Sequence, residues 1–333
     1  MKAEISNASQ LKDWLDDPRP AVFQAMNLLD VSSDMAERNL KDCAFLGCVV
    51  SPTLAAAAAV ANCLVLPPAP DVPFDPYIAS LYTPDKLYDK LDPTVPGSYN
   101  NCLDKRIYDS YADAKQNVLE VSCDLMLLRR MHDASITESL DDWIASRKPR
   151  TVAIMGGHDL NRDDPKFANA ARLAMRLAQQ GFLVATGGGP GAMEAANLGA
   201  YAAGFAAPER VLDAALAKLA EAPKFSVDIG KWLRVGYAAW KEMGVPEFPE
   251  MGENLGIPTW FYGHEPANVF ATRIAKYFEN SVREEGLLAI AQGGIVFTEG
   301  NAGTVQEIFQ DACQNYYRTY DKYKSPMVLL DRA

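Results

Sequence analysis

The feature that most constrains the fold is a pattern repeated along the C-terminal half of the chain. Three short apolar runs, "TVAIM" (151–155), "FLVAT" (182–186) and "GIVF" (294–297), are each closely followed by a glycine-bearing loop and a helical pattern. Apolar runs without alternation are typical of strands buried on both faces, and strands that alternate with helices form parallel sheets through right-handed crossovers. The sequence therefore predicts an α/β fold with a doubly wound parallel sheet, whose three glycine loops share its carboxyl edge.

Residues 151–333 are predicted to form the domain that contains this sheet. Between about 206 and 255, two helix-like stretches indicate a helical insertion. The sheet is then expected to resume with a strand at 257–263, followed by a long helix over 268–294. A last strand, "PMVLLD" (326–331), has no helix after it. Either the N-terminal half covers that edge of the sheet, or the chain is shortened.

Residues 1–150 are predicted to form a mostly helical N-terminal extension or accessory domain, with the boundary at "RKPR" (147–150). One segment, 45–70, has the apolar length of a membrane span, but Ser51, Pro52 and Asn62 interrupt it and most of its bulk is alanine. A buried helix near 53–62 and a strand near 63–66 are expected instead. Two or three helices are expected over 105–146. No catalytic motif is recognisable in this half.

Charge and cysteine usage narrow the class of protein. A formal net charge of -11 disfavours nucleic acid or anionic membranes as partners. The six cysteines form no CxxC pair, and the chain begins without an apolar signal core, so we expect reduced thiols and a cytoplasmic location. No His/Cys cluster has the spacing of metal ligands, and neither a metal nor a cofactor is expected.

The three glycine loops favour a phosphate-bearing ligand. Exposed backbone amides and the positive ends of helix dipoles attract anions at the carboxyl edge of such a sheet. His158 and Glu194, beside the first two loops, are further candidates for contact with the ligand. Neither the dinucleotide fingerprint nor the Walker motif is present. The predicted binding glycines are Gly156, Gly157, Gly187, Gly188, Gly189, Gly191, Gly300 and Gly303.

A family resemblance makes this prediction more specific. "GGGPGAME", followed by "GGIVFTEGNAGTVQE", resembles the LOG family, once labelled "possible lysine decarboxylases". "GGHDLN" after the first strand resembles the larger bacterial pyrimidine/purine nucleotide 5'-monophosphate nucleosidases, which also carry an N-terminal extension. The resemblance covers about residues 151–331. It implies a Rossmann-like phosphoribohydrolase that releases the base and ribose 5-phosphate from nucleoside 5'-monophosphates, and it implies a homodimer.

The resemblance also implies roles for particular residues. The family pattern PGGxGTxxE is matched by Gly303, Thr304 and Glu307, and the arginine of the preceding helix by Arg283. Glu307 would stabilise the ribose cation or activate water, and Arg283 would hold phosphate or orient the sugar. The phosphate would be bound by the backbone amides of Gly300, Asn301, Ala302, Gly303 and Thr304.

The sequence departs from the family pattern near these residues. PGG is replaced by Thr298-Glu299-Gly300, one residue is added before Gly303, and Glu284 stands where a basic residue usually follows the arginine. Both glutamates add negative charge near the expected phosphate. The chain could therefore be a nucleotide or phospho-ligand sensor that uses the same site without turnover.

Other interpretations stay open or are disfavoured. Thr304 and Glu307 also have the spacing of a capping box, in which Glu307 would serve only the start of a helix. A nucleic-acid-handling Rossmann protein conflicts with the negative charge. Lysine decarboxylase activity is rejected, because no lysine is placed for a Schiff base with pyridoxal phosphate.

Overall fold

The computed structural model describes residues 3–116, 122–263, 265–319 and 324–330. The chain forms two compact units: Met1–Ser80 with Asn117–Ser139, and Leu81–Gln116 with Leu140–Ala333. These units differ from the predicted division at residue 150. Residues 81–116 and 140–149 belong to the C-terminal unit, although their sequence carries none of its glycine-loop pattern. Among the described residues, no helix is long and apolar enough to cross a membrane.

The first unit contains a four-stranded parallel sheet in the order β1-β2-β3-β4. Its core is built on aromatic contacts: Phe23 stacks on Phe45 with ring centroids 5.0 Å apart, and Trp14 packs edge-on against Phe23 at 5.0 Å. This sheet is not predictable from the sequence, since its strands are only three or four residues long and show no clear periodicity. The strands are β1 (Ala3–Ile5), β2 (Ala21–Gln24), β3 (Ala44–Leu46) and β4 (Leu64–Leu66).

Helices occupy much of residues 1–150, as expected, but they accompany a sheet. The helix and strand expected near 53–66 are present, although only Leu54 and Ala58 of that helix are buried. The helices are α1 (Ala8–Asp16), α2 (Ser32–Ala36), α3 (Pro52–Val60), α4 (Pro84–Leu87), α5 (Leu103–Gln116) and α6 (Cys123–Arg147), with 3-10 turns at Leu29–Val31 and Ser98–Asn101.

The second unit contains a six-stranded sheet in the order β10-β9-β5-β6-β7-β8, in which every named pair is parallel. This arrangement confirms the predicted α/β class. From β5 the chain moves outward in one direction to β8 and then returns to β9 on the other side of β5. The strands are β5 (Arg150–Met155), β6 (Phe182–Thr186), β7 (Asn254–Gly256), β8 (Arg273–Ile274), β9 (Gly294–Phe297) and β10 (Met327–Leu329).

The helices of this unit follow the sequence pattern closely up to residue 252. Asp164 caps the first of them by accepting a hydrogen bond from the Lys166 amide at 2.8 Å. A Cβ on Gly199 would lie 1.8 Å from the Ala171 carbonyl oxygen, so glycine allows two of these helices to pack in direct contact. They are α7 (Pro165–Gln179), α8 (Ala192–Ala202), α9 (Pro208–Leu219), α10 (Ile229–Met243), α11 (Pro249–Gly252), α12 (Asn280–Ile290) and α13 (Ala302–Tyr317).

Two predictions for the segment between α11 and α12 are wrong. The strand lies at Asn254–Gly256 rather than at 257–263, and the helix begins at Asn280 rather than at 268. Asn268 shows why: its backbone amide donates to the Gly188 carbonyl at 2.8 Å. Because this part of the segment bonds to a neighbouring loop, it does not form the helical ladder that its apolar spacing suggested.

Candidate functional site

The first and third glycine loops meet between β5 and β9, where the strand order reverses. The Gly157 amide donates to the Glu299 carbonyl at 3.1 Å, and the Thr298 hydroxyl donates to the Met155 carbonyl at 3.1 Å. A Cβ on Gly156 would lie 1.9 Å from Thr298 Oγ1, so this approach requires glycine. Ligands of doubly wound sheets bind at this kind of switch point.

The second glycine loop joins the other two. The Ala192 amide donates to the Gly157 carbonyl at 3.1 Å, and a Cβ on Gly191 would lie 2.3 Å from the same oxygen. Gly188 has a φ of +70°, and its amide donates to the Thr186 hydroxyl at 2.9 Å. The structure thus brings the three predicted loops together at one edge of the sheet.

Asn268 ties the second loop to the segment that precedes α12. In addition to its backbone bond to Gly188, its side-chain Nδ2 donates to the Gly189 carbonyl at 3.2 Å and to Asn197 Oδ1 at 2.9 Å. Asn268 is fully buried. Asn268 was not among the predicted site residues, because a lone asparagine in a stretch with helical spacing gives no signal for such a contact.

Arg283 and Glu307 lie side by side at this edge. Arg283 Nη1 is 3.7 Å from Glu307 Oε1, and each side chain is 12% exposed. Arg283 Nη2 lies 3.7 Å from the position that a Cβ on Gly187 would occupy. Within the described part of the chain, Arg283 Nε and Nη1 have no hydrogen-bond partner. The guanidinium therefore lies between Glu307 and the second glycine loop, and it keeps unused donor capacity at Nε and Nη1.

Burial changes the acidity of Glu307. It raises the pKa of this carboxyl to about 7; the adjacent Arg283 partly offsets the effect, and Glu284 adds to it. A carboxyl with a pKa near neutrality suits proton transfer, because both of its protonation states are populated at physiological pH.

Two further carboxyl groups accompany this pair. Glu284 is buried, and its Oε2 accepts a hydrogen bond from Asn280 Nδ2 at 3.0 Å. Asp311, one helical turn beyond Glu307, is 1% exposed, and burial raises its pKa to about 6. Of these two groups, Glu284 opposes the ionisation of Glu307, and Asp311 is a second buried carboxyl on the same helix as Glu307.

The start of α13 excludes the capping-box interpretation of Glu307. The helix begins at Ala302, and Asn301 is the N-cap residue without a side-chain capping bond. Thr304 is thus the third helical residue and not the cap. The first amides of an α-helix have no intrahelical acceptor, so those of Ala302, Gly303 and Thr304 are available to an anion.

The negative charge of Glu299 is partly compensated. Its carboxylate forms an ion pair with Lys166 of α7, and the two side chains are 62% and 52% exposed. Asn301, two residues on, donates through Nδ2 to Asp159 Oδ2 at 3.3 Å. The altered loop is thus held by contacts with α7 and with the loop that follows β5.

Glu194 does not face a ligand, which corrects its predicted role. It is fully buried, and Arg162 binds both carboxylate oxygens, through Nε at 2.9 Å and Nη2 at 2.5 Å. Arg162 also lies over the Trp232 ring, 4.2 Å from its centroid. The proximity of Glu194 to a glycine loop in the sequence misled the prediction, because the side chain points into the interior of the unit.

His158 lies beside Glu265, which was not among the predicted site residues. Its Nδ1 is 3.6 Å from Glu265 Oε1, and the two side chains are 44% and 30% exposed. The other oxygen, Glu265 Oε2, lies 3.6 Å from the position of a Cβ on Gly189. Glu265 belongs to the irregular segment before α12, so only the folded chain brings it to the glycine loops.

Part of the chain matches a family of known proteins. Residues 149–207, which cover β5 to α8, match the SLOG cluster4 family. This match supports a SLOG/LOG-type Rossmann-like fold for that part of the chain. A search of curated proteins finds no match. The X-ray structure of TM1055, one of 32 matching solved chains, is 20% identical with a TM-score of 0.29, over 48% of this chain and 66% of that one.

Proposed function

We propose that the chain is a hydrolase that cleaves the N-glycosidic bond of nucleoside 5'-monophosphates, with free base and ribose 5-phosphate as products. The observation that carries the proposal is the Arg283–Glu307 pair, 3.7 Å apart, at the carboxyl edge where the three glycine loops converge. This edge offers both an anion site and a carboxyl group suited to proton transfer.

The phosphate would bind at the start of α13. The amides of Ala302, Gly303 and Thr304 point along the helix axis, and the helix dipole favours an anion there. Arg283 would add a cationic donor, since two of its nitrogens have no hydrogen-bond partner within the described residues. This arrangement supports recognition of a 5'-phosphate rather than of an uncharged nucleoside.

Glu307 would act on the sugar and on water. Cleavage of an N-glycosidic bond develops positive charge on the ribose ring, which an adjacent carboxylate stabilises. The same carboxylate can accept a proton from the attacking water, because its pKa of about 7 is close to the operating pH. Arg283, beside it, would keep the sugar phosphate oriented.

The test is product formation with a panel of mononucleotides, with free base and ribose 5-phosphate both measured. We expect release from one or more of them and none from the matching nucleosides. Glu307→Gln should lower kcat by about 10²–10⁴-fold, the usual contribution of a general acid or base, with little change in nucleotide affinity. Glu285→Gln removes an exposed charge from α12 and serves as the control.

The outcomes separate the proposal from its rival. Binding without release of base from any mononucleotide would favour a phospho-ligand sensor that uses the same loops. Turnover that survives Glu307→Gln unchanged would reject the role given to this carboxyl.

A further inference from the structure

Two pairs of polar side chains flank the second glycine loop. Arg283, paired with Glu307, lies beside Gly187, and Glu265, paired with His158, lies beside Gly189. A three-residue stretch spans at most about 11 Å, so one small ligand lying across this loop can contact both pairs. The proposed function uses only the first pair.

The second pair is open to a ligand. His158 and Glu265 are 44% and 30% exposed, whereas Arg283 and Glu307 are each 12% exposed. The imidazole packs edge-on against the Phe225 ring, with centroids 5.9 Å apart and planes at 83°. Because Nδ1 faces Glu265, Nε2 is the nitrogen that remains for the ligand.

The fold holds Glu265 in place through its backbone. Lys276 Nζ donates to the Glu265 carbonyl at 3.4 Å and pairs with Asp104 at 2.7 Å. Lys276 and Asp104 are both fully buried, and Trp260 Nε1 also donates to Asp104, at 3.0 Å. A buried ion pair with additional hydrogen bonds fixes the geometry of the segment that carries it.

We propose that His158 is the general acid that protonates the departing base, and that Glu265 is the positioning residue that orients its imidazole. This inference rests on the proposed N-glycosidase function. The bond between C1' and the base nitrogen breaks, and that nitrogen receives the proton from His158 Nε2. Water bonds to C1', and its proton passes to the Glu307 carboxylate. Proton exchange with solvent then restores both groups.

Leaving groups of different basicity provide the test. A nucleotide base departs poorly without a proton, whereas the 4-nitrophenolate of 4-nitrophenyl ribofuranoside 5-phosphate departs as a stable anion. We expect His158→Asn to lower turnover of nucleoside monophosphates by about 10²–10⁴-fold and turnover of the nitrophenyl substrate by no more than about tenfold. Glu307→Gln should reduce both activities, because its role does not depend on the leaving group.

Glu265→Gln should show the same selectivity to a smaller degree, since the imidazole remains but loses its orienting carboxylate. A merely structural role would lower both activities together. Asp163→Asn removes an exposed charge from the same loop and is the matched control. Thermal unfolding of each variant shows whether the fold is intact.

The experiment distinguishes failure of the His158 assignment from failure of the proposed function. Equal loss of both activities in His158→Asn, or loss of neither, would overturn this assignment and leave the N-glycosidase function standing. If the wild-type protein hydrolyses neither class of substrate, the proposed function fails and this inference fails with it.

Discussion

At the scale of single residues, the proposed chemistry depends on how burial changes the pKa of a carboxyl group. Glu307 would titrate near its usual value in water, but desolvation raises its pKa from 4.5 to about 7. Arg283 opposes that shift and Glu284 reinforces it. Glu284 stands where the LOG pattern has a basic residue. Its negative charge therefore makes Glu307 a weaker acid.

This balance predicts the pH dependence of catalysis. The proposed mechanism requires ionised Glu307, so kcat/KM should rise as pH increases through about 7 and should fall away below it. Glu284→Gln should move that limb to lower pH, because it removes a carboxylate that disfavours ionisation.

Two control variants show which residue produces this limb of the pH profile. Asp311 has a pKa of about 6, so Asp311→Asn tests whether the limb belongs to that residue instead. Glu285→Gln changes an exposed residue next to Glu284 on α12, and it should leave the pH profile unchanged. A limb that stays in place in Glu284→Gln would contradict the electrostatic role given to that side chain.

At the scale of secondary structure, the site is held by loops that are bonded to one another. Arg162, in the loop after β5, binds Glu194 of α8 and also donates to the Ala222 and Trp232 carbonyls at 3.3 and 3.1 Å. One guanidinium thus connects a loop of the site to α8 and α10. Glu194 holds this connection from the interior of the unit.

Loss of that pair should destabilise the unit. Breaking a buried ion pair by removing one partner leaves the other charge unpaired, so Glu194→Gln should lower the free energy of unfolding by about 3–5 kcal/mol. Chemical denaturation measures this change, and Glu209→Gln, an exposed substitution on α9, is the control. If Glu194→Gln has normal stability but has lost nucleotide affinity, Glu194 has the ligand-binding role that was first predicted for it.

At the scale of the whole molecule, an exposed apolar surface on α13 suggests self-association. Val305, Phe309 and Tyr316 are 49%, 67% and 81% exposed. Such residues on one helix are unusual on a surface that stays in water. We propose that a second copy of the chain covers them, in agreement with the homodimer that the LOG resemblance implies.

This proposal predicts a change of oligomeric state. Phe309→Asp should convert a dimer into a monomer, because it places a charge in an apolar interface, and light scattering after size-exclusion chromatography measures the mass. Val227→Asp, at a residue that is 79% exposed elsewhere in the same unit, should leave the dimer intact. A wild-type protein that is monomeric at micromolar concentration would contradict the proposal.

The sequence by itself determined the α/β class and the three glycine loops of the second sheet. The strands β5, β6 and β9 are continuous apolar runs that end near glycine, and both signals are local. The pattern also pointed to Arg283 and Glu307, whose roles stay predictions. It could not reveal the first sheet, because strands of three or four residues carry too few side chains to show a period.

Only the tertiary structure decided which side chains surround the loops. Glu194 and Glu265 are both acidic residues near the glycine loops. Glu194 is buried in an ion pair with Arg162, whereas Glu265 lies beside His158 and is partly exposed. The direction of a side chain depends on long-range packing, here on Arg162 and on the buried pair of Lys276 and Asp104. Those contacts join positions far apart in the chain, and no local pattern encodes them.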